Sequence, residues 1–308
     1  MNPKVSIIMS AYNEVDRLDK TIETVLSQTF EDFEFIIIDD NSTDSTRSII
    51  KKYGFNDSRI ILLENKNNIG LTKSLNKGIK LAKGDYIARI DAGDLWDKMK
   101  LEKQIGFLEK NKDYVICGTQ ALYICKDGTA IGKSWFGVDD EEIRIRFFTR
   151  QGIYLHPSIV FRNTGIYYRE FFEYSQDLDL YCQLFFKGKF YCLPEHLTLC
   201  EINPLKLSVA KKYEQRQYQN IAYNLFKERL RHGKDSLDSG KILRIRKSKI
   251  ELKLCGLAMP FYIKYMEDRI SKKSSVLWLF WLVLSFAAYP PLAFDYWNKL
   301  KGIIVREK

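Results

Sequence analysis

Acidic and polar residues follow three apolar runs in the first hundred residues of the sequence. Carboxylate oxygens at the end of a strand can hold Mg²⁺ or Mn²⁺ and still leave positions for phosphate and water. A tyrosine at such a position can stack on a base, and an aspartate can accept a hydrogen bond from an imide. The pattern therefore predicts a ligand site at these strand ends. The three clusters are Tyr12-Asn13-Glu14, Asp39-Asp40 and Asp91 with Asp94.

Strand and helix patterns alternate along the segment that carries these clusters. Residues 5–9 form a short apolar run, and Ser10 opens the polar cluster that ends it. Because strands covered by helices on both faces read as continuous apolar runs, the repetition predicts a parallel sheet. Ligands of such sheets bind at the carboxyl ends of the strands, so the three clusters should converge on one crevice. The other predicted strands are 33–38, 59–63 and 86–90, and the predicted helices are 19–27, a helix through residue 50 capped by Ser42 or Thr43, 71–82 and 96–108.

Two common nucleotide-binding motifs are missing from the sequence. No G-x-G-x-x-G and no G-x-x-x-x-G-K-[ST] follows a predicted strand, which removes the main support for a dinucleotide-binding or P-loop protein. The six cysteines include no C-x-x-C pair, and the first apolar run is too short for a signal peptide. We therefore expect free thiols in a reducing, cytosolic compartment.

The positive charge of the chain is concentrated in its last third. The formal net charge is +10, but residues 1–200 hold 27 Lys and Arg against 29 Asp and Glu. Residues 201–308 hold 22 against 10, a net charge of +12. A basic end predicts a polyanionic partner, either a nucleic acid or an anionic lipid surface.

An uncharged stretch, residues 276–294, follows the basic region. Its length is near the minimum for spanning a bilayer, and Trp278 and Trp281 suit a membrane interface. Pro290-Pro291 and the basic residues on both sides favour a segment that dips into the cytoplasmic leaflet, and a buried helix of the globular part is the alternative. Because the basic residues lack a nucleic-acid reader motif, we expect an anionic membrane surface and no nucleic acid as partner.

Four segments in sequence order resemble the family 2 inverting glycosyltransferases of the GT-A fold. They are residues 5–14, 38–44, 68–79 and 84–94, which match the first strand with its nucleotide loop, the second strand end, the next helix and the strand leading into the D-x-D region. The resemblance covers roughly residues 4–200. It implies an α/β fold with a mixed, mainly parallel sheet flanked by helices. We predict a GT-A domain at 1–210, a basic amphipathic helical region at 211–265 and a hydrophobic membrane-associated tail at 266–308.

The resemblance also implies a nucleotide-sugar site and a divalent metal, Mn²⁺ or Mg²⁺, held by Asp91 and Asp94. The family commonly reads Asp-x-Asp-Asp at this point, whereas this chain has Gly93 at the position usually assigned to the metal. Either Asp91 and Asp94 share the metal, or metal binding is weaker. The alternative role for Asp94 is the N-cap of the predicted helix 96–108. The residues implied to contact the nucleotide-sugar are Ser10, Ala11, Tyr12, Glu14, Asp40, Asn68, Lys73 and Asp91.

The second half of the matched region carries the acceptor side. Residues 175–180 resemble the family's Glu-Asp-x-Asp-Leu segment, which makes Asp177 the general base that deprotonates the acceptor hydroxyl. Gln176 replaces the usual glutamate, and Asp179 is interpreted as a residue of the helix start. His156 is either a donor or acceptor contact or a buried histidine with its hydrogen bonds satisfied.

These observations predict an inverting glycosyltransferase that moves a single hexosyl or N-acetylhexosaminyl group from a UDP-sugar. The predicted acceptor is a lipid-linked or cell-surface glycan, and the site of action is the cytoplasmic side of the cell membrane. No Gln-x-x-Arg-Trp motif accompanies the match, which argues against a processive polymer synthase. The alternatives are a catalytically inactive nucleotide-sugar-binding protein, suggested by Gly93, and a polyprenyl-phosphate sugar transferase.

Overall fold

The computed structural model describes residues 2–125, 127–201 and 211–243, together with parts of 254–288. Within these residues, nine strands form one sheet in the order β3-β2-β1-β4-β8-β6-β9-β5, with β7 paired to β6. The mixed sheet with its flanking helices confirms the predicted fold class. The strands are β1 Val5–Ala11, β2 Phe33–Asp39, β3 Ile60–Glu64, β4 Tyr86–Arg89, β5 Leu95–Trp96, β6 Tyr114–Ile124, β7 Ala130–Lys133, β8 Val160–Arg162 and β9 Lys189–Glu201.

The structure also contains helices, which belong to both parts of the described chain. In the described residues they are α1 Leu18–Leu26, α2 Thr46–Asn56, α3 Leu71–Leu81, α4 Lys100–Lys110, α5 Asp140–Phe148, α6 Gln176–Leu184, α7 Lys212–His232 and α8 Ser275–Ala288, with a 3-10 turn at His156–Ser158. The described residues divide into two compact units. The first takes in 1–124, 132–147 and 152–201, and the second takes in 125–131, 148–151 and the residues after 201.

Strands β1 to β4 form the parallel part of the sheet. Strand β1 pairs in parallel with both β2 and β4, and β2 pairs in parallel with β3. Alternate side chains of β1 lie on opposite faces of the sheet. Ile7 belongs to the cluster under α1, whereas Ile8 faces Gly78 of α3. Both faces are therefore buried, which is why these strands read as continuous apolar runs. The four carboxyl ends lie at one edge of the sheet.

The strand β1 is longer than the sequence pattern indicated. Ser10 and Ala11 pair with Ile38 and Asp39 of β2, so they belong to the strand and not to the polar loop after it. The pairing partner, which lies 28 residues further along the chain, decides where β1 ends. The polar loop proper begins at Tyr12, which is 46% exposed.

The rest of the sheet contains three antiparallel strand pairs and one parallel pair among β4, β5, β6, β8 and β9. Strand β8 runs antiparallel to β4 and β6, while β9 runs parallel to β6 and antiparallel to β5. The predicted helix 96–108 is wrong at its start, because Leu95 and Trp96 pair with β9 and α4 begins only at Lys100. Asp94 is therefore not the N-cap of this helix; the carboxylate of Asp97 accepts the amide of Met99 instead.

The start of α2 also differs from the prediction. The helix begins at Thr46, and neither Ser42 nor Thr43 caps it. The carboxylate of Asp44 instead accepts the amide of Thr46, the first residue of the helix, at 2.9 Å. The same carboxylate accepts the amide of Val15 at 3.3 Å, which joins the loops after β1 and β2.

The second unit contains α7 and α8. Helix α7 packs through a stripe that includes Tyr218 and Phe226, and it ends at Gly233, which has a φ of +74°. Helix α8 covers part of the uncharged stretch 276–294; residues 289–294 lie outside the described residues. Within the part of the chain that the structure describes, no helix combines the length and the apolar character needed to cross a membrane.

Candidate active site

Hydrogen bonds join the loop after β1 to the loop after β2 and the start of α2. Asn13 has a φ of +55°, and its side-chain oxygen accepts the amide of Thr43 at 2.9 Å. The amide of Asn13 donates to Ser42, and the amide of Glu14 donates to Thr46. These bonds fix the backbone after Tyr12, and the pairing of Ala11 with Asp39 fixes it before, so the exposed ring of Tyr12 lies at the carboxyl end of β1.

Asp40 is buried and engaged by the loop between β3 and α3. Its carboxylate accepts the amides of Ile69 and Gly70, both at 2.9 Å, and the side-chain amide of Asn65 at 2.8 Å. A carboxylate has about four lone-pair sites, so one further hydrogen bond can be accepted. Asp40 therefore shapes the loop that carries Asn68, whether or not it also contacts a base.

Helix α3 links this loop to the segment that precedes α6. Asn76 exchanges two hydrogen bonds with the backbone of Tyr168, at 2.8 and 2.9 Å, and Thr72 donates to the carbonyl of Phe172 at 2.6 Å. Lys73 of the same helix is exposed, as is Asn68 in the loop before it. The nucleotide half and the acceptor half of the predicted site are thus tied together through buried polar contacts.

Arg89 lies at the end of β4 and is 1% exposed. Its guanidinium forms an ion pair with Asp91, and Nη1 lies 3.4 Å from the carbonyl oxygen of Ile8. Among the described residues, its Nε has no hydrogen-bond partner. A buried arginine beside a carboxylate fixes the position of that carboxylate, which is itself about one-third exposed.

The loop that follows β4 is held by the first helix. The backbone amide of Gly93 donates to Thr21 at 2.9 Å, and Thr21 in turn donates to the carbonyl of Asp94 at 3.0 Å. Asp94 is buried, so Asp91 is the more accessible carboxylate of the pair. No group of three or more His, Cys, Asp or Glu side chains within the described ranges is arranged to hold a metal ion.

This donor set fits a cation that shares its coordination with a ligand. Mg²⁺ in nucleotide sites is typically bound by one or two protein carboxylates, with phosphate oxygens and water as the remaining ligands. Asp91 meets that requirement, because it is partly exposed and its position is fixed by Arg89. Gly93 has no side chain and therefore adds no carboxylate to this set.

Asp177 lies in the first turn of α6, directly after Ser175, which has a φ of +56°, and Gln176. Its removal from water raises the pKa of the Asp177 carboxyl above the ordinary value, and the negative charge of Asp91 raises it further. Backbone amides at the helix start and the charge of Arg89 act in the opposite direction. The structure thus brings Asp177 within electrostatic reach of the β4 end.

His156 is a buried histidine with a hydrogen-bond partner. Its Nε2 lies 2.6 Å from the hydroxyl of Tyr168. Burial lowers the pKa of His156 to about 3, and the nearby charge of Arg89 adds to the effect, so the ring is neutral at physiological pH. Asp179 forms a buried ion pair with Arg169, which agrees with its interpretation as a residue of the helix start.

Sequence reasoning missed four residues of this region: Arg17, Arg89, Tyr168 and Tyr181. Arg89 had a signal, because a charged residue inside an apolar strand is rarely buried without a partner. Tyr168 and Tyr181 had none, since their proximity to the β4 end depends on how residues 163–184 fold over the sheet. No sequence pattern marked Arg17 as a site residue; only its contacts in the structure do so.

The arrangement joins three chemical capacities at the carboxyl edge of a parallel sheet. An exposed aromatic ring and a polar loop can bind a base, a fixed carboxylate can share a cation with phosphates, and a desolvated carboxylate can accept a proton. The family model for Glycosyl transferase family 2 matches residues 6–174. The chain belongs to that family and is a glycosyltransferase.

Two bacterial relatives illustrate the match in sequence. EpsE of Bacillus subtilis, whose name describes it as a glycosyltransferase, is 37% identical over 195 residues, which cover 60% of this chain and 68% of EpsE. The UDP-Glc:alpha-D-GlcNAc-diphosphoundecaprenol beta-1,3-glucosyltransferase WfaP of Escherichia coli is 44% identical over 128 residues, covering 42% of this chain and 49% of WfaP.

Two solved structures share the fold at low sequence identity. Staphylococcus aureus TarS, residues 1–349, in complex with UDP-GlcNAc aligns with a TM-score of 0.59 at 18% identity, covering 96% of this chain and 92% of that one. A mannosyltransferase from Pyrobaculum calidifontis in complex with GDP-Man and Mn²⁺ aligns with a TM-score of 0.56 at 15% identity, covering 99% and 86%. These likenesses establish the fold of this chain.

Proposed function

We propose that this glycosyltransferase transfers one hexosyl or N-acetylhexosaminyl group from a UDP-sugar with inversion at the anomeric carbon, and that Asp177 is the general base. The observation that carries the proposal is the position of Asp177 near the end of β4, where the charge of Asp91 contributes to its raised pKa. A carboxylate poised in this way accepts a proton more readily than one in water.

The reaction follows from these roles. Asp177 takes the proton of the acceptor hydroxyl as its oxygen bonds to the anomeric carbon, and the bond from that carbon to the diphosphate breaks with its electron pair. Mg²⁺ or Mn²⁺, when bound, stabilises the negative charge of the departing diphosphate. Asp91 would hold the metal, with Asp94 as the second candidate, and Arg89 keeps Asp91 in place.

The base and ribose would occupy the loops after β1 and β2. Tyr12 would stack on the base from the end of β1, Asp40 would accept its imide proton, and Asn68 and Lys73 lie on the neighbouring loop and helix. Ser10 and Glu14 would line the entrance from β1, whereas the side chain of Ala11 is 1% exposed and belongs to the core under the loop. The UDP-GlcNAc complex of TarS and the UDP-Glc donor in the name of WfaP support a uridine nucleotide.

The acceptor we propose is a lipid-linked or cell-surface glycan at the cytoplasmic side of the membrane. The name of WfaP, which includes a diphosphoundecaprenol-linked sugar, supports an acceptor of this kind. The charge of +12 on residues 201–308 would attract the chain to an anionic lipid surface. His156 has its ring nitrogen engaged by Tyr168, so a contact with substrate would have to use the other ring nitrogen.

A donor panel tests the proposal directly. We expect release of UDP from one UDP-hexose or UDP-N-acetylhexosamine when a polyprenyl-diphosphate-linked sugar is supplied, and β-configured product from an α-linked donor. A product that retains the donor's anomeric configuration would contradict the inverting mechanism. Binding of UDP-sugars without turnover on any acceptor would favour the inactive binding protein instead.

A further inference from the structure

A side chain at Gly93, where the family usually carries a carboxylate, would be crowded by Arg17 and strained by the backbone conformation. Gly93 has a φ of +93°, a backbone conformation that residues with a side chain rarely adopt. A Cβ built on Gly93 would meet the side chain of Arg17, with Cδ at 3.3 Å, Nε at 3.4 Å and Cζ at 3.5 Å. The guanidinium of Arg17 therefore occupies the space toward which a side chain at position 93 would project.

Arg17 is held in this place by two carboxylates. Its Nη2 donates to Glu14 at 2.8 Å, and its Nη1 lies 3.7 Å from Glu201 at the end of β9. The second distance is an ion pair without a hydrogen bond. Among the described residues, Nη1 has no hydrogen-bond partner, although the atom itself is buried.

A guanidinium has five N–H donors in a planar fork, and the two carboxylates leave part of that fork unused. Like carboxylates, phosphate oxygens match the geometry of this fork and are often bound through two parallel hydrogen bonds. The same location is where the family resemblance puts the metal and the donor's diphosphate. The chain thus has the guanidinium of Arg17 beside the position at which the family usually has a metal-binding carboxylate.

We propose that Arg17 is a diphosphate-binding residue, whose guanidinium, seated against Gly93, supplies positive charge to the donor's phosphates independently of a metal. The inference rests on the proposed use of a nucleoside diphosphate-sugar. Glu14 and Glu201 orient the guanidinium, and the diphosphate completes its hydrogen bonds. A metal at Asp91 adds to this charge, so UDP binding has a metal-dependent part and an arginine-dependent part.

Calorimetric titration of UDP in the presence of a chelator tests the arginine-dependent part. Arg17→Met keeps the aliphatic stem that packs against Gly93 and removes the charge, and Arg17→Ala removes both. We expect either variant to weaken UDP binding in chelator by about tenfold or more, as the loss of a charge-assisted hydrogen bond to phosphate requires. Lys20→Ala, which removes an exposed cation from the same helix, is the matched control and should bind UDP like the parent.

Uridine separates a phosphate contact from a structural role. Because uridine has no phosphate, its binding should be the same in the parent and in Arg17→Met. Equal losses for uridine and UDP would show that Arg17 only shapes the loop at Glu14, and unchanged UDP binding in chelator would equally overturn the assignment. Arg17→Lys, which keeps the charge but loses the fork, should fall between the parent and Arg17→Met.

Failure of this inference is distinguishable from failure of the proposed function. A parent protein that binds neither UDP nor GDP, with or without Mn²⁺, would contradict the nucleotide-sugar function itself. A parent that binds UDP while the Arg17 variants bind it equally well would contradict only the role of Arg17.

Discussion

The carboxylate of Asp177 experiences two opposing influences at the start of α6. Withdrawal from water disfavours the charged form of the carboxylate, and the negative charge of Asp91 adds to this effect. The backbone amides at the helix start favour the charged form, but the net effect is a raised pKa of Asp177. Because the residue must be deprotonated to act as a base, the acidic limb of the rate profile should lie above the ordinary pKa of an aspartate.

Replacing this carboxylate tests its role. Asp177→Asn should lower kcat by about 10²-fold or more, because the amide cannot accept the hydroxyl proton, while UDP binding stays at the parental level. Asp177→Glu should retain part of the rate. The measurement is initial-rate kinetics together with UDP calorimetry, and a transfer rate for Asp177→Asn close to that of the parent would show that another group is the base.

Asp91 is the residue at which the metal should matter most. We expect Asp91→Asn to reduce the gain in UDP affinity that Mn²⁺ provides, by roughly tenfold, because a neutral amide is a weaker ligand than a carboxylate. Asp94→Asn, at a buried position, should affect stability more than metal response. Titrating Mn²⁺ into the protein with UDP present distinguishes the two, and equal metal response in the parent and Asp91→Asn would remove Asp91 from the metal site.

Among the helices that cover the sheet, α3 packs on it through a glycine. A Cβ at Gly78 would lie 2.7 Å from Ile8 and 3.0 Å from Ile38, so the helix approaches β1 and β2 as closely as its backbone allows. Close approach is needed because Asn76 and Thr72 of the same helix hold the segment before α6. The position of the candidate base therefore depends on the absence of a side chain at residue 78.

A pair of alanine substitutions tests this packing. Gly78→Ala should destabilise the protein by ~1–3 kcal/mol despite the higher helix propensity of alanine, because Ile8 and Ile38 must shift. Gly106→Ala in α4 is the matched control: a Cβ at this position would have no atom within 4 Å, so the substitution should stabilise by ~0.5–1 kcal/mol. Urea denaturation gives both values, and two changes of the same sign would contradict the packing argument.

The elements that the sequence predicted well are those whose pattern is local. The strands β1 to β4 and the helices α1 and α3 have apolar residues at the spacing their own conformation requires, and their predicted ranges lie within about two residues of those observed. The start of α4 could not be read in the same way. Leu95 and Trp96 are a strand only because β9, about a hundred residues later, pairs with them.

The candidate site, too, could be predicted only where its signal is local in the sequence. The acidic clusters and Asp177 could be proposed from their motifs, and the parallel sheet explained why the first three should converge. The contacts of Arg17 and Arg89 could not, because the space beside Gly93 and the burial of Arg89 are set by neighbours distant in sequence. Similarly, nothing in the spacing indicated that Asp40 already accepts hydrogen bonds from Ile69 and Gly70.

Charge is distributed unevenly along the chain as a whole. Residues 1–200 are close to neutral, and the later residues carry the excess of basic groups. In the second unit, the end of α7 has an exposed face with both basic and apolar side chains, a combination that suits a membrane interface. Its members on the helix are Lys227, Leu230 and Arg231, and Lys234, Lys241 and Ile242 are exposed in the segment that follows α7.

Charge reversal on this face tests membrane association. Lys227→Glu, Arg231→Glu and Lys234→Glu together should weaken binding to anionic vesicles by about 100-fold, at ~1 kcal/mol for each basic residue near the surface. The control carries the same reversals at exposed positions of the first unit, Lys20, Lys52 and Lys80. Sedimentation with vesicles of increasing anionic lipid content, at low and high salt, measures the effect, and equal binding by both triple variants would exclude this face.

The order of strands in the sheet has a consequence for how the chain is made. Strands β1 to β4 are complete once residue 89 has been synthesised, whereas β8, the strand that pairs with the free edge of β4, ends at residue 162. At the usual pace of translation, roughly 4–15 s separate these two points. During that interval the edge of β4 that later receives β8 is unpaired on the nascent chain, which makes it a point of attachment for other strands. The parallel part of the sheet is thus synthesised with an open edge, and β8, which closes that edge, lies shortly before α6 and Asp177 in the sequence.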